Sequence, residues 1–247
     1  MTHSNARTLL RISGSDARNF LQGLITNDVN KLEHGLVYTA LLTPQGKYLA
    51  DFFLVPDGEN ILLDTDAAQS DALAKRLSMY KLRADVAIEP DERQVTLGTS
   101  ATPNGAFLDP RSPDLGWRSY SGHPSEAVDW TALNVKLCIP STGIELAPDS
   151  FILEMGFERL NGVDFKKGCY VGQEITARMK HKTELRKGLA LFSVTGSAPI
   201  GTEITTDTGK PAGTLYSQSG GKALAYLRFD RANGPLNAKG AQITYAP

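Results

Sequence analysis

The stretch KGCYVGQE, Lys167–Glu174, is the most informative part of the chain. It reads Lys167, Gly168, Cys169, Tyr170, Val171, Gly172, Gln173 and Glu174. Two glycines stand four residues apart, one side chain is a thiol, and only Tyr170 and Val171 are apolar enough to be buried. Glycines at this spacing let a backbone bend sharply or approach a ligand closely. The stretch is therefore unlike a segment of hydrophobic core.

Cys169 is one of two cysteines, and the other is Cys138. Two cysteines cannot build a disulfide framework, and they suit a reducing compartment in which a thiol stays reduced. The lysines just before Cys169 favour a thiolate, which predicts an accessible, functional thiol. A small buried hydrophobe is the alternative, and the residues alone leave both interpretations open. Leu137 and Ile139 flank Cys138 and predict an apolar strand there.

Length and composition predict an ordinary globular protein. The chain has 247 residues, 41% hydrophobic and 21% charged, with a net charge of −1. This balance excludes disordered, collagen-like and coiled-coil classes and gives no overall attraction to nucleic acid or membrane. The first residues lack the apolar region of a signal peptide, and no apolar run approaches the about 20 residues that span a bilayer. A soluble intracellular protein is the expectation.

Hydrophobic patterning predicts an α+β body in the part of the chain before Lys167. Helices are expected from Gly14 onward, with Ser15 as N-cap, and at Asp66–Tyr80 and Ser125–Leu133. Turn residues such as Pro44-Gln45-Gly46 separate the strands. The predicted strands are Thr8–Ile12, Leu36–Thr43, Lys47–Val55, Ile61–Asp64, Val86–Ile88, Gln94–Gly98 and Phe107–Leu108.

The C-terminal region contains only short alternating runs with turn residues between them, a pattern that predicts a small antiparallel β-barrel. Its predicted strands are Leu189–Val194, Glu203–Thr206, Thr214–Gln218, Leu224–Phe229 and Ile243–Tyr245. The boundary is placed between a body of residues 1–184 and a barrel module of residues 185–247.

Charge concentrates in one segment. Lys166–Lys187 holds seven basic residues against two acidic ones in a nearly neutral chain. This segment is either a solvated face or an anion site for a carboxylate tail or phosphates.

KGCYVGQE followed by Arg178 resembles the signature of the YgfZ/Iba57 group of folate-binding, glycine-cleavage T-protein-like proteins. That group is implicated in iron–sulfur cluster assembly or repair. FLQGLITNDV (Phe20–Val29), LLTPQGKYLADFFL (Leu41–Leu54) and YKLRADVAI (Tyr80–Ile88) also resemble segments of the family. The resemblance extends from about residue 8 to the C-terminal barrel.

The resemblance implies a multi-module fold around a central folate cavity. Two α+β modules would interleave, one formed by roughly residues 1–50 and 116–184 and the other by residues 51–115. The C-terminal barrel, residues 185–247, would be the third module.

The resemblance also implies a folate site. A pterin ring presents an amide N–H beside an exocyclic amine, and one carboxylate accepts from both. Glu154 matches the T-protein glutamate that performs this role, and Asn27 and Asp28 are weaker candidates to line the same cavity or to form a turn. Arg178 and Lys180 would meet the glutamate tail of folate. The expected cofactor is tetrahydrofolate or a derivative.

Catalysis is in doubt because the aminomethyltransferases of this superfamily carry adjacent aspartates where this chain has Ala50-Asp51-Phe52. A glycine-cleavage aminomethyltransferase is therefore disfavoured. The leading hypothesis is a tetrahydrofolate-binding factor for maturation or repair of iron–sulfur proteins, with an indirect effect on tRNA modification. A folate-dependent aminomethyl- or methyltransferase and an RNA-associated factor are the alternatives.

The expected partners are iron–sulfur assembly or client proteins, with Cys169 contacting a cluster, a partner or a folate-borne one-carbon unit. No cluster is expected on this chain alone, because it lacks a four-cysteine ligand set. Neither a membrane nor a directly bound nucleic acid is expected. The expected location is the cytoplasm of a bacterium or, in a eukaryote, the mitochondrial matrix after processing.

Overall fold

A computed structural model describes residues 6–182 and 184–245. Its contacts divide the chain into two compact units. The first unit contains the residues up to Val128 together with Glu158–Ile175. The second contains Asp129–Phe157 and the residues from Thr176 onward.

An antiparallel five-stranded sheet in the order β2-β3-β4-β1-β5 organises the first unit. Its strands are β1 (Arg7–Ser13), β2 (Val37–Leu42), β3 (Tyr48–Asp57), β4 (Asn60–Asp66) and β5 (Ala87–Asp91). Its helices are α1 (Ala17–Gln22), a 3₁₀ helix (Val29–His34) and α2 (Ser70–Lys81). The β2–β3 and β3–β4 hairpins lie where the sequence pattern predicted them. The helix predicted at Asp66–Tyr80 is α2, which begins later, at Ser70, because Asp66 is still the last residue of β4.

One face of this sheet forms the hydrophobic core of the unit. Alternate residues of β3, Phe52 and Leu54, point into a core that also holds Leu21 of α1 and Leu73 and Leu77 of α2. Each of these side chains is at least 98% buried. Full burial of one such side chain contributes about 1.5–3 kcal/mol, so this face stabilises the unit strongly.

The opposite face carries buried charge. Asp64 of β4 accepts hydrogen bonds from Arg7 Nε at 2.6 Å and Arg118 Nη1 at 2.9 Å. Arg118 also donates to Asp109 at 2.9 Å, and Arg111 donates to the same carboxylate at 2.8 Å. These five residues are called the buried ion network below. Arg111 and Arg118 lie outside the large sheet, so their ion pairs connect the segment after β5 to it.

A small second sheet supplies part of that network. It contains β6 (Thr96–Gly98), β7 (Phe107–Leu108) and β8 (Trp117–Ser119) in the order β6-β8-β7. Arg118 lies on β8, and its guanidinium carbon stands 3.8 Å from the centroid of the Phe53 ring. The aromatic face adds a cation–π contact to the two ion pairs of Arg118.

A closed six-stranded barrel dominates the second unit, in the order β10-β11-β12-β9-β14-β13. Its strands are β9 (Lys187–Thr195), β10 (Thr202–Thr206), β11 (Pro211–Ser219), β12 (Lys222–Arg228), β13 (Leu236–Ala238) and β14 (Ala241–Tyr245). The predicted barrel is present. Only β13 lacked a predicted counterpart, because three residues are too few to show an alternating pattern.

Helix boundaries differ from the sequence prediction in two further places. Ser15 was expected to cap α1, but Asp16 occupies the N-cap position, and Ser15 Oγ instead donates to Asp85 Oδ2 at 2.9 Å. A capping hydroxyl accepts from the first N–H groups of a helix, whereas that of Ser15 is held by its donation to a carboxylate on a distant segment.

The second difference concerns α3, which covers Trp130–Leu137 rather than Ser125–Leu133. Asp129 accepts a hydrogen bond from Ala132 N at 2.9 Å and so begins the helix later. Cys138 was expected in a strand, but it ends α3 in the left-handed conformation with φ of 53°.

The helix α4 (Gln173–Lys182) follows the signature stretch. Among the described residues, no helix has the length and apolar character needed to cross a bilayer.

Candidate functional site

The signature loop, residues 167–172, is anchored by Lys167. Its Nζ donates to the backbone carbonyls of Gln22 at 2.8 Å, Ile25 at 2.6 Å and Asn27 at 2.9 Å. An ammonium has three protons, so these three acceptors use its whole donor capacity. Burial lowers the pKa of Lys167 to about 8. Lys167 thus fastens the signature loop to the turn after α1, whereas its charge had been expected to act on the neighbouring thiol.

The fold requires glycine at only one of the two glycine positions in the signature loop. Gly172 has φ of +85°, and a β-carbon there would stand 2.7 Å from the carbonyl oxygen of Thr43, so the fold requires glycine. A β-carbon on Gly168 would meet no described atom within 4 Å, and its φ is not in the left-handed region. The fold therefore leaves open space beside Gly168.

Cys169 follows that open position and is exposed, whereas Cys138 is half-buried. The accessibility that a functional thiol needs is therefore present. Its participation in chemistry stays a prediction. Within residues 6–182 and 184–245, no group of three or more His, Cys, Asp or Glu side chains is arranged to hold a metal ion.

Asn27 and Asp28 lie in the turn that Lys167 fastens. The side-chain amide of buried Asn27 donates to the carbonyl of Tyr38 at 2.8 Å and to that of Asn161 at 2.7 Å. Asp28 Oδ1 accepts from Asn30 N at 2.9 Å and caps the 3₁₀ helix. These bonds build the turn, one of the two roles considered for the pair, and a part in ligand binding stays a prediction.

Asp51, the single aspartate at the position of the aminomethyltransferase pair, is buried on β3. Its Oδ1 accepts from Tyr48 at 2.6 Å and its Oδ2 from Tyr38 at 3.0 Å. Burial and the nearby Asp51 charge raise the pKa of Tyr38, which therefore remains a protonated donor at neutral pH. Both carboxylate oxygens are thus engaged by phenols.

Glu154 lies in the second unit, within a turn rather than a helix, and it is 8% exposed. Leu189 N of β9 donates to its backbone carbonyl at 2.8 Å, which fixes the turn to the barrel. The side chain lines a cavity of about 320 Å³, called the Glu154 cavity below. The residues lining this cavity are Glu154, Met179, Glu184, Leu185, Arg186, Lys187 and Arg228.

Among the described residues, the Glu154 carboxylate has few partners for a buried charge. Its Oε2 accepts from Tyr226 Oη at 2.6 Å and stands 3.8 Å from Lys187 Nζ. Burial and this hydrogen bond raise the pKa of Tyr226, so the phenol stays protonated and donates. A carboxylate offers about four acceptor positions, so most of those on Glu154 remain available to a ligand in the cavity.

Three cationic side chains line the same cavity, those of Arg186, Lys187 and Arg228, and of these the Lys187 ammonium stands 3.8 Å from the carboxylate. Arg178 and Lys180, which were predicted to meet the glutamate tail of folate, are exposed on α4 and do not line this cavity, although Met179 between them does. Their part in ligand binding stays a prediction. The count of bases in 166–187 already contained two of the three cations. The third, Arg228, comes from β12, and the pairing of β12 with β9 places it opposite Lys187.

Comparison with known proteins supports a common ancestry along the whole chain. The family model described as the CAF17 C-terminal β-barrel domain matches residues 186–247. The mitochondrial iron–sulfur cluster assembly factor IBA57 of Mus musculus is 31% identical, over 95% of this chain and 79% of its own length. The chain belongs to the YgfZ/Iba57 family. The human factor of the same name is 29% identical, over 98% of this chain and 82% of its own length.

A solved structure supports the fold of this YgfZ/Iba57 family member. Aminomethyltransferase T of the glycine cleavage system from Bartonella henselae matches with a TM-score of 0.75 over 98% of this chain and 83% of that chain. Sequence identity is 15%, so the match concerns the fold alone. The predicted family and the T-protein-like α+β fold with a C-terminal antiparallel barrel are confirmed.

Proposed function

We propose that this YgfZ/Iba57 family member supports maturation or repair of iron–sulfur proteins and binds tetrahydrofolate, or a derivative, in the Glu154 cavity. The relatives reported above are named iron–sulfur cluster assembly factors, which supports the first part. The observation that carries the second part is the buried Glu154 carboxylate, which has unused acceptor positions at a cavity. An effect on tRNA modification would be indirect, through enzymes that hold clusters.

The chemistry of the Glu154 cavity fits a folate. The amide N–H and exocyclic amine of a pterin would donate to the carboxylate in a charge-assisted pair that fixes the ring. The cavity volume of about 320 Å³ lies within the range of small-molecule sites. The cations of Arg186, Lys187 and Arg228 complement the carboxylates of a glutamate tail, with a modest gain because all three are exposed.

Cys169 is the proposed contact with a cluster or with the protein that carries it. Exposure of the thiol and the open space beside Gly168 support this role, because a partner can approach the backbone there. The place of action would be the mitochondrial matrix in a eukaryote, since the relatives are named mitochondrial, and the cytoplasm in a bacterium.

Folate binding is tested with Glu154→Gln. The amide replaces one acceptor oxygen by a donor that faces the donors of the pterin, so tetrahydrofolate affinity should fall about 10–150-fold, the equivalent of one charged hydrogen bond. Calorimetry measures the affinity. Glu203→Gln, the same change at an exposed position of β10, is the matched control and should bind like the wild type. Equal affinities for all three proteins would remove Glu154 from the site.

The role of the thiol is tested with Cys169→Ser in a cluster-maturation assay. Because Cys169 is exposed and serine is nearly isosteric, thermal stability and folate affinity should stay unchanged while maturation activity is lost. Cys138→Ser provides the matched control and should retain activity. Iodoacetamide should modify Cys169 before Cys138 in the wild type. Full activity of Cys169→Ser would show that the thiol has no functional role.

A further inference from the structure

The end of α2 and the turn after it expose apolar side chains that the proposed function does not use. Met79 is 69% exposed and Leu82 is 89% exposed. Leu82 is the most exposed large hydrophobic residue in the described part of the chain. Large apolar side chains this accessible, close together in sequence, are more typical of an interaction surface than of isolated surface residues.

The backbone at Leu82 points to the same conclusion. Its φ of 45° and ψ of −105° lie in a region that favours glycine and strains a residue with a branched side chain. The turn is closed by a hydrogen bond from Ala84 N to the carbonyl of Lys81 at 2.8 Å. The side chain of Leu82 makes little contact with the fold, so the fold itself gains little from having leucine there.

Basic residues accompany these apolar residues along the chain. The segment 75–83 contains four basic residues, Lys75, Arg76, Lys81 and Arg83, and no acidic one. Within the described residues, Lys75, Arg76 and Arg83 form no salt bridge, and all three are exposed. The nearby acid Asp85 accepts hydrogen bonds from the backbone and hydroxyl of Ser15.

We propose that this basic–apolar patch, formed by Lys75, Arg76, Met79, Lys81, Leu82 and Arg83, docks an acidic protein partner. Leu82 and Met79 enter an apolar recess of that partner, and its carboxylates pair with the four cations. Charge complementarity selects the partner and speeds its approach. The patch is separate in sequence and role from the Glu154 cavity and from Cys169, so it adds a third contact to the proposed function.

A protein fits the patch better than a lipid or a nucleic acid. A helix that lies on a membrane inserts its apolar face, but the apolar face of α2 is formed by Leu73 and Leu77, which are buried in the core. Single-stranded nucleic acid stacks its bases on aromatic side chains, whereas the exposed apolar residues here are Met79 and Leu82.

Leu82→Gly separates docking from folding. Glycine relieves the strained conformation, so the melting temperature should stay equal or rise, while loss of the leucine side chain should weaken docking about 10–100-fold. The probe is a fluorescent amphipathic peptide of leucine, alanine and glutamate, whose binding to the full chain is followed by anisotropy. Ile200→Gly is the control, because Ile200 is also exposed, at 54%, but lies in the barrel unit.

Four further measurements decide the result. Arg83→Glu should weaken peptide binding, 0.5 M salt should weaken it for the wild type, and tetrahydrofolate affinity should be unchanged in Leu82→Gly. In the cluster-maturation assay Leu82→Gly should lose activity and Ile200→Gly should keep it. Equal peptide binding by Leu82→Gly and wild type would overturn the proposal. So would Leu82-dependent binding to phosphatidylglycerol vesicles or to single-stranded RNA in the absence of peptide binding.

Discussion

Two buried carboxylates, Asp64 in the first unit and Glu154 in the second, differ in how completely they are satisfied. Asp64 is fully buried and accepts from two arginines and from the hydroxyl of Tyr120 at 3.0 Å. Glu154 accepts from one phenol and faces a cavity. Both are costly to bury without partners, but only Asp64 has a full set within the protein. The number of unused acceptor positions therefore separates the structural carboxylate of Asp64 from the carboxylate of Glu154, which is proposed to bind folate.

The largest expected effect is on stability, at Arg118. Arg118→Met removes a cation from both Asp64 and Asp109 and leaves two buried carboxylates short of partners, so the free energy of unfolding should fall by about 3–5 kcal/mol. Urea denaturation measures it. Arg228→Met removes an exposed ion pair with Asp230 and should leave the unfolding midpoint unchanged. Equal midpoints for the two variants would mean that the buried ion network does not stabilise the first unit.

A smaller effect should appear in acid. Burial opposes the charge of Asp109, but the adjacent Arg111 and Arg118 guanidinium groups hold the pKa of this carboxyl well below its usual range. A lowered pKa contributes stability that is present above the unfolded value of about 3.9 and is lost as the pH falls below it. The melting temperature should therefore be nearly flat from about pH 7 to 5 and fall at lower pH.

Asp109→Asn shows whether this network causes the acid sensitivity. Its melting temperature should fall less steeply below about pH 4, since the group that takes up the proton has gone. Asp71→Asn, at an exposed position in the first turn of α2, should keep the wild-type slope. Parallel slopes for all three proteins would assign the acid sensitivity to other carboxylates.

The smallest effect is expected at the hydroxyl of Tyr226. Tyr226→Phe removes the hydroxyl that donates to Glu154 and orients its carboxylate. Because the change also leaves one more acceptor position of Glu154 free for the ligand, tetrahydrofolate affinity should fall only about two- to tenfold. Calorimetry compares it with Tyr216→Phe, another half-buried barrel tyrosine. A loss as large as that of Glu154→Gln would contradict the view that Glu154 itself makes the principal contact.

The sequence predicted elements where one local signal dominates. The hairpin turn before β3, the α2 periodicity and the alternation in five of the six barrel strands identified those elements. The start of α3 was misplaced because Asp129, within an apolar-poor stretch, is a stronger cap than the residues before it. At Ser15 the deciding partner, Asp85, is distant in sequence, so no local pattern could reveal it.

The residues of the candidate site also divide into those that the sequence could identify and those that it could not. Glu154 was identified as a candidate only through the family resemblance. The role of Lys167 could not be predicted, because its three acceptors are backbone carbonyls that any residue types at those positions would provide. Arg228 joins the Glu154 cavity only through strand pairing in the barrel, which places it opposite Lys187.

Closure of the barrel depends on a short seam. The strands β10 and β13 pair through only two residue pairs, Thr205 with Asn237 and Thr206 with Leu236, whereas β12 and β9 pair through seven. Amide hydrogens at this seam should exchange with solvent sooner than those of β12. Opening there would release two unpaired strand edges at once, and such edges pair readily with another copy of the chain. Heating should therefore lead to aggregation that starts from this seam, even while the sheet of the first unit remains folded.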